Sequence, residues 1–186
     1  MTAITILALL LAVAAPNVTE WLRNTQVRNV SEAMQNGLRK ARMEALRRNQ
    51  IVTFWLVSPA AGGAPDSTCA LSSTSAAWVV SVDNPASKCD TAPSPLTNPR
   101  ILETYGGGSV APNLSVSGLG SDGATAATSV SFNGMGQTTK TATQLARIDL
   151  AHSSTGARRL RVTISPTGGI RMCDRDAAAG DSRACT

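Results

Sequence analysis

His152 is the only histidine in this 186-residue chain, and it stands next to Ser153 and three residues after Asp149. These are the residue types of an acyl-transfer triad, but triad members must converge in space, and three neighbours at one strand end do not. The chain has neither a G-x-S-x-G nor an H-E-x-x-H motif. "GLGSDG" (118–123) has the letters of a dinucleotide-binding turn, yet an Ala/Thr-rich loop and another strand follow it. The motif requires a helix at that place. "GMGQTTK" (134–140) lacks the spacing of a phosphate-binding loop. The expectation is therefore a protein with no catalytic residue, metal or cofactor.

Cysteine and arginine remain. Cys69, Cys89, Cys173 and Cys185 allow three pairings. Proximity in sequence favours Cys69 with Cys89 and Cys173 with Cys185, each closing a loop rich in small, polar or proline residues. Zinc is the rival reading, but no C-x-x-C pair is present and His152 lies outside both loops. Two disulfides imply an oxidising compartment, and closing loops of this length stabilises by about 3 kcal/mol each on the chain-entropy model.

The net charge of +5 is uneven. Residues 1–48 carry seven Lys/Arg against three Glu, residues 49–156 four against six acids, and residues 157–186 six Arg against three Asp. Basic ends permit contact with nucleic acid or anionic lipid. In "RRLRVTISPTGGIRMCDR" a turn centred near Thr167 puts Leu160, Val162, Ile164, Ile170 and Met172 on one face by period-two alternation. Arg159, Arg161 and Arg171 then share the other face, and Arg175 and Arg183 fall in the tail. Such a cluster can contact phosphates without reading base sequence. The alternative, a solvated sheet face partly paired with Asp174 and Asp176, is the favoured one.

Two kinds of element position these groups. Ile4 to Ala15 is an apolar run of twelve residues broken only by Thr5. A bilayer span takes about 20. From Asn17 to Arg48 there is no proline and a single glycine, with apolar residues at Val18, Leu22, Val27, Val30, Met34, Leu38, Ala41 and Ala45. That spacing is one face of a helix. Pro16 either kinks a single helix or precedes a new one capped by Asn17. After Asn49 the periodicity changes, and strands are predicted at 51–58, 77–82, 101–105, 114–118, 128–132, 145–150, 158–164 and 169–173. One helix followed only by strands is an α+β order, with the C-terminal half of the helix packed on an antiparallel sheet that ends in a hairpin. The chain divides into an apolar half-helix (1–16), an amphipathic half-helix (17–48) and a β-rich domain (49–186). Only six residues are aromatic, which suits a secreted or surface β-domain better than an enzyme with an aromatic core.

"ITILALLLAVAAP", "NVSEAMQNGLRKARMEALRRNQIVTF" and "LRVTISPTGGIRMCD" together resemble the GspH/FimT family of type IV pilin-like proteins. The likeness is specific in residues 2–54 and 160–174. It implies a non-catalytic minor pilin or pseudopilin held in the bacterial inner membrane, β-domain in the periplasm, before it enters a pilus or pseudopilus. The implied partners are other major and minor pilins, met through Ile4, Ile6, Leu7, Leu10, Leu11, Val13 and Pro16 of the N-terminal helix. Family members are made with a short leader, a cleavage site and an acidic residue in the apolar segment. None of these precedes Met1-Thr2-Ala3, so the expected native start lies upstream. Competence-associated members carry G-R-x-R in the terminal hairpin, where this chain has Gly168-Gly169-Ile170-Arg171. DNA contact through Arg159, Arg161, Arg171 and Arg175 is thus a secondary expectation. The cysteine-closed tail favours a pilus over a type II secretion pseudopilus, by resemblance. A secreted domain is the outside alternative: Ala12-Val13-Ala14 is an A-x-A cleavage site, although residues 1–3 lack the positive charge of a signal peptide.

Overall fold

The computed structural model describes residues 2–58, 63–107, 113–139, 143–154 and 156–185, with helix side chains described from Thr19 onward. A single helix, α1 (Thr2–Arg48), runs through Pro16, so no second helix starts at Asn17. At 1.5 Å per residue it is a rod of about 70 Å. Its C-terminus closes in a Schellman arrangement: Gln50 N–H donates to Ala45 O at 3.3 Å and Asn49 N–H to Leu46 O at 3.4 Å. Asn49 takes the left-handed conformation this stop requires, with φ at 49°. Arg47 and Arg48 in the last turn oppose the negative end of the helix dipole.

Among the described residues nine strands follow: β1 (Val52–Ser58), β2 (Ala70–Leu71), β3 (Ala77–Ser81), β4 (Ile101–Tyr105), β5 (Leu114–Leu119), β6 (Ser129–Phe132), β7 (Arg147–His152), β8 (Leu160–Ile164) and β9 (Ile170–Asp174). They form two antiparallel sheets rather than one. In the first the order is β2-β1-β3-β4, with β6 also on β1; in the second it is β5-β7-β8-β9. The fold class is the predicted α+β one, with the sheet divided.

Both sheets pack on one side of α1. Val27, Val30, Met34, Leu38, Ala41 and Ala45 are fully buried against Phe54, Phe132, Ile148, Leu150 and Val162. Among the described residues the buried part of the predicted stripe begins at Val27. Leu22 is 48 % exposed, since five residues before Val27 it points to a different side of the helix, and the side chain of Val18 lies outside the described residues. Three of the six aromatic residues, Phe54, Trp78 and Phe132, are buried, and two of these form a ladder with the half-buried Tyr105: Trp78 is tilted on Phe54 at 5.5 Å and stacked on Tyr105 at 5.4 Å. This ladder passes directly beneath Gly37. A β-carbon there would lie 2.8 Å from Phe54 Cε2 and 2.8 Å from Trp78 Cε2, so glycine is what lets the helix backbone settle onto the rings.

The first sheet is covered on both faces. Val57, Ala77, Val79 and Ile101 form a second small core with Cys69 and Cys89, roofed by the loops those cysteines join. β3 is consequently buried at every position, which is why its sequence reads as a continuous apolar run instead of alternating.

Candidate functional site

Cys69 is joined to Cys89 and Cys173 to Cys185, across 20 and 12 residues of chain. No described cysteine is left as a thiol, and no three His, Cys, Asp or Glu side chains come together among the described residues as a metal site would need. His152 Nδ1 accepts the Ser154 N–H at 3.0 Å, while Asp149 is held by arginines, so these neighbours do not converge. "GLGSDG" is an Asx turn: the Asp122 carboxylate accepts the Ala124 and Thr125 N–H groups at 3.0 Å, pulling the Asp122 pKa down to about 2 with the Thr125 hydroxyl as the largest cause. "GMGQTTK" begins as another turn, whose Asn133 Oδ1 accepts the Met135 and Gln137 N–H groups at 3.0 Å; Lys140 lies outside the described residues.

The terminal hairpin lies lengthwise along the helix. At its open end the Arg158 N–H donates to Asn24 Oδ1 at 2.8 Å. At its closed end Pro166-Thr167-Gly168 turn the chain, with Gly168 at φ 81° and Ser165 N–H donating to Gly169 O at 2.9 Å. A left-handed glycine at the third loop position is a common closure for a three-residue hairpin. That turn is clamped: Thr138 N–H donates to Pro166 O at 3.1 Å, and Arg42 Nε to Gly136 O at 3.0 Å.

The hairpin register puts Arg161 and Arg171 on the face opposite Val162, Ile164 and Met172, as the alternation predicts. Their partners differ from the expected Asp174. Arg161 makes a two-pronged pair with Asp149 across the β7–β8 ladder, at 2.5 and 2.9 Å, and Arg175 reaches the same carboxylate at 3.3 Å. Burial pushes Asp149 up, but the guanidiniums outweigh it and its pKa is lowered. Arg159 is paired with Asp176, Nε to Oδ1 at 2.8 Å. Arg171 caps the tail instead, donating to Ser182 O at 3.1 Å and Ala184 O at 3.4 Å. All four nominated arginines are thus engaged within the domain. Asp149 was missed because its pairing depends on the β7–β8 register, which short-range pattern does not give. Of the nominated helix residues, Ile4, Ile6, Leu7, Leu10, Leu11, Val13 and Pro16 are helical, and their side chains lie outside the described residues. Among the described residues no helix is long and apolar enough to cross a membrane.

A long helix laid by its C-terminal half on two antiparallel sheets is a pilin-like α+β fold. The chain belongs to the GspH family: the family model described as type II transport protein GspH matches residues 30–168. No curated protein matches the sequence. Among solved structures, the type IV minor pilin FimU of Pseudomonas aeruginosa has the same fold in two crystal forms. One has a TM-score of 0.52 at 12 % identity, covering 84 % of this chain and 94 % of that one. The other has a TM-score of 0.50 at 12 % identity, covering 82 % and 97 %. The family match stops at Gly168, so the tail closed by Cys173–Cys185 lies beyond it.

Proposed function

We propose that this chain is a minor pilin of a type IV pilus, a filament subunit with no catalytic step of its own. The observation that carries the reading is the division of labour along α1 within a chain of this family. Among the described residues the domain core begins at Val27, and the apolar run from Ile4 to Ala15 ends twelve residues before it on the same helix. An apolar helix surface needs non-aqueous surroundings. Lipid supplies them before assembly and neighbouring pilin helices supply them afterwards, so transfer from one to the other need not expose the segment to water. Two disulfides fit a domain on the oxidising, periplasmic side of the inner membrane.

The test is Leu10→Lys. A charge at the centre of the apolar segment is expensive in lipid and in a packed helix bundle alike. The expected outcome is loss of pili by electron microscopy, with the protein still oxidised and protease-resistant in its β-domain. Normal piliation in that variant overturns the proposal. A pseudopilin of type II secretion is the second reading, favoured by the description of the matching family. Loss of protein secretion with intact piliation on deletion of the gene would select it.

A further inference from the structure

The open end of the terminal hairpin and the disulfide-closed tail form the pole of the domain from which the N-terminal half of α1 emerges. Asn24 is tied to Arg158 there, while the closed end of the hairpin sits eighteen residues further along the helix beside Arg42. At this pole lies a cleft of about 520 Å³ between the helix and the hairpin, floored by Leu160 and Met172. Trp21 stands at its rim with 65 % of its surface exposed, and Arg28, Arg158 and Arg183 line it. Arg28 is paired with Glu32 at 2.7 Å and Arg183 with Asp181 at 2.7 Å. Among the described residues the exposed Arg158 guanidinium has no carboxylate partner, and the Asp174 carboxylate, which also lines the cleft, accepts the Asp176 N–H at 2.9 Å.

Trp21 lies six residues beyond Ala15, the last residue of the apolar run, or about 9 Å along the helix. An exposed tryptophan at that distance from an apolar segment, with arginines just beyond it, is the arrangement of a membrane–water interface: indole at headgroup level, cations against anionic phosphates. We infer that this cleft takes the phosphate headgroup of an anionic bilayer phospholipid, bound by Arg158 beside Trp21, and so seats the β-domain on the membrane surface before assembly. The inference rests on the membrane-resident state proposed above. A nucleic-acid strand would need a continuous track of free cations. The hairpin offers none, since Arg159, Arg161 and Arg175 are paired with Asp176 and Asp149.

The experiment uses the full chain in vesicles of phosphatidylcholine with increasing phosphatidylglycerol, doped with a headgroup-attached spin label that quenches Trp21 emission. Quenching is expected to rise with phosphatidylglycerol. Arg158→Ala should raise the phosphatidylglycerol fraction needed for half the effect by about fivefold, the worth of one basic residue at such a surface. Arg158→Glu should abolish the dependence, and Trp21→Phe should remove the responsive signal while flotation with the vesicles is retained. If the chain floats but its Trp21 emission ignores phosphatidylglycerol or Arg158, the headgroup inference is overturned and the membrane reading stands. If the chain does not float with neutral vesicles, the membrane reading fails and the inference falls with it. Relief of quenching by 10 mM inorganic phosphate would assign the site to free phosphate, and relief by a 30-nucleotide single strand would assign it to nucleic acid; either overturns the lipid assignment.

Discussion

Replacing Gly37 by alanine sets two effects of opposite sign against each other. In a helix interior the substitution stabilises by about 1 kcal/mol, because alanine has fewer unfolded conformations to lose. Against this, the new methyl would sit 2.8 Å from Phe54 Cε2 and from two Trp78 ring carbons, about 1 Å inside normal carbon–carbon contact. The rings have little room to retreat, since Trp78 is 3 % exposed and already stacked on Tyr105. Overpacking of this kind costs about 1–3 kcal/mol. The overpacking term wins, and a net loss near 1 kcal/mol is expected, lowering Tm by about 2–4 °C for a domain of this size. Thermal unfolding with both disulfides intact, followed by near-ultraviolet circular dichroism, reads it directly. Asn36→Ala on the exposed neighbouring position calibrates propensity alone, at a gain of about 0.5 kcal/mol. A combined Gly37→Ala/Trp78→Phe variant should be less destabilised than the sum of the two singles, because the smaller ring admits the methyl. A rise in Tm for Gly37→Ala, matching the propensity term, would refute the claim that the aromatic ladder dictates this glycine.

Three further outcomes follow from the pairing and cross-links. Arg161→Ala should cost about 2 kcal/mol, less than a fully buried pair because Arg175 still faces Asp149, and urea unfolding checks it; an arginine acting only as a DNA contact would leave stability unchanged. Cys69→Ser/Cys89→Ser should cost about 3 kcal/mol for the opened loop plus the packing of the second core, against about 3 kcal/mol for Cys173→Ser/Cys185→Ser, which buries less; the order of the two Tm losses is the measurement. Arg100 holds Asp83 down to about 2 and Arg183 holds Asp181 down to about 2, while Asp149 and Asp176 are also lowered. Depressed carboxylates give stability that is complete above their unfolded value near 4 and lost as pH falls through the folded value, so Tm should be flat from pH 7 to 5 and fall steeply between about pH 4 and 2, with Asp83→Asn flattening part of the fall.

What could be read ahead of the structure was whatever depends on near neighbours in the chain. The apolar spacing of Val27 to Ala45 gave the buried helix face, and alternation gave the strands and the hairpin with its arginines on the outer face. The reading failed where distance along the chain separates partners. That β1 pairs with β2, β3 and β6 while β5 turns away to β7 is a matter of long-range registry, so two sheets looked like one. Asp149 was read only as a neighbour of His152, and its role appears only when β7 lies beside β8. Leu22 was read into the stripe but is half exposed, since its five-residue step to Val27 turns it off the buried face.

That buried face has a consequence for the whole molecule. From Val27 onward the apolar side of α1 is consumed by its own domain, down to residues with no exposed surface at all. Substitutions there, such as Met34→Ala or Leu38→Ala, remove buried volume and act through folding, at about 2–5 kcal/mol each. The apolar run from Ile4 to Ala15 lies twelve or more residues before Val27 on the same helix, so a charge placed in it is expected to act through whatever surrounds the rod and not through the domain core. The two halves of one continuous helix therefore separate stability from assembly. A variant series stepped along α1 should switch from lost piliation with a folded domain to lost folding between Leu22 and Val27, within two turns of helix. A gradual change along the whole helix would mean that the domain and the rod share their apolar surface, contrary to the burial seen here.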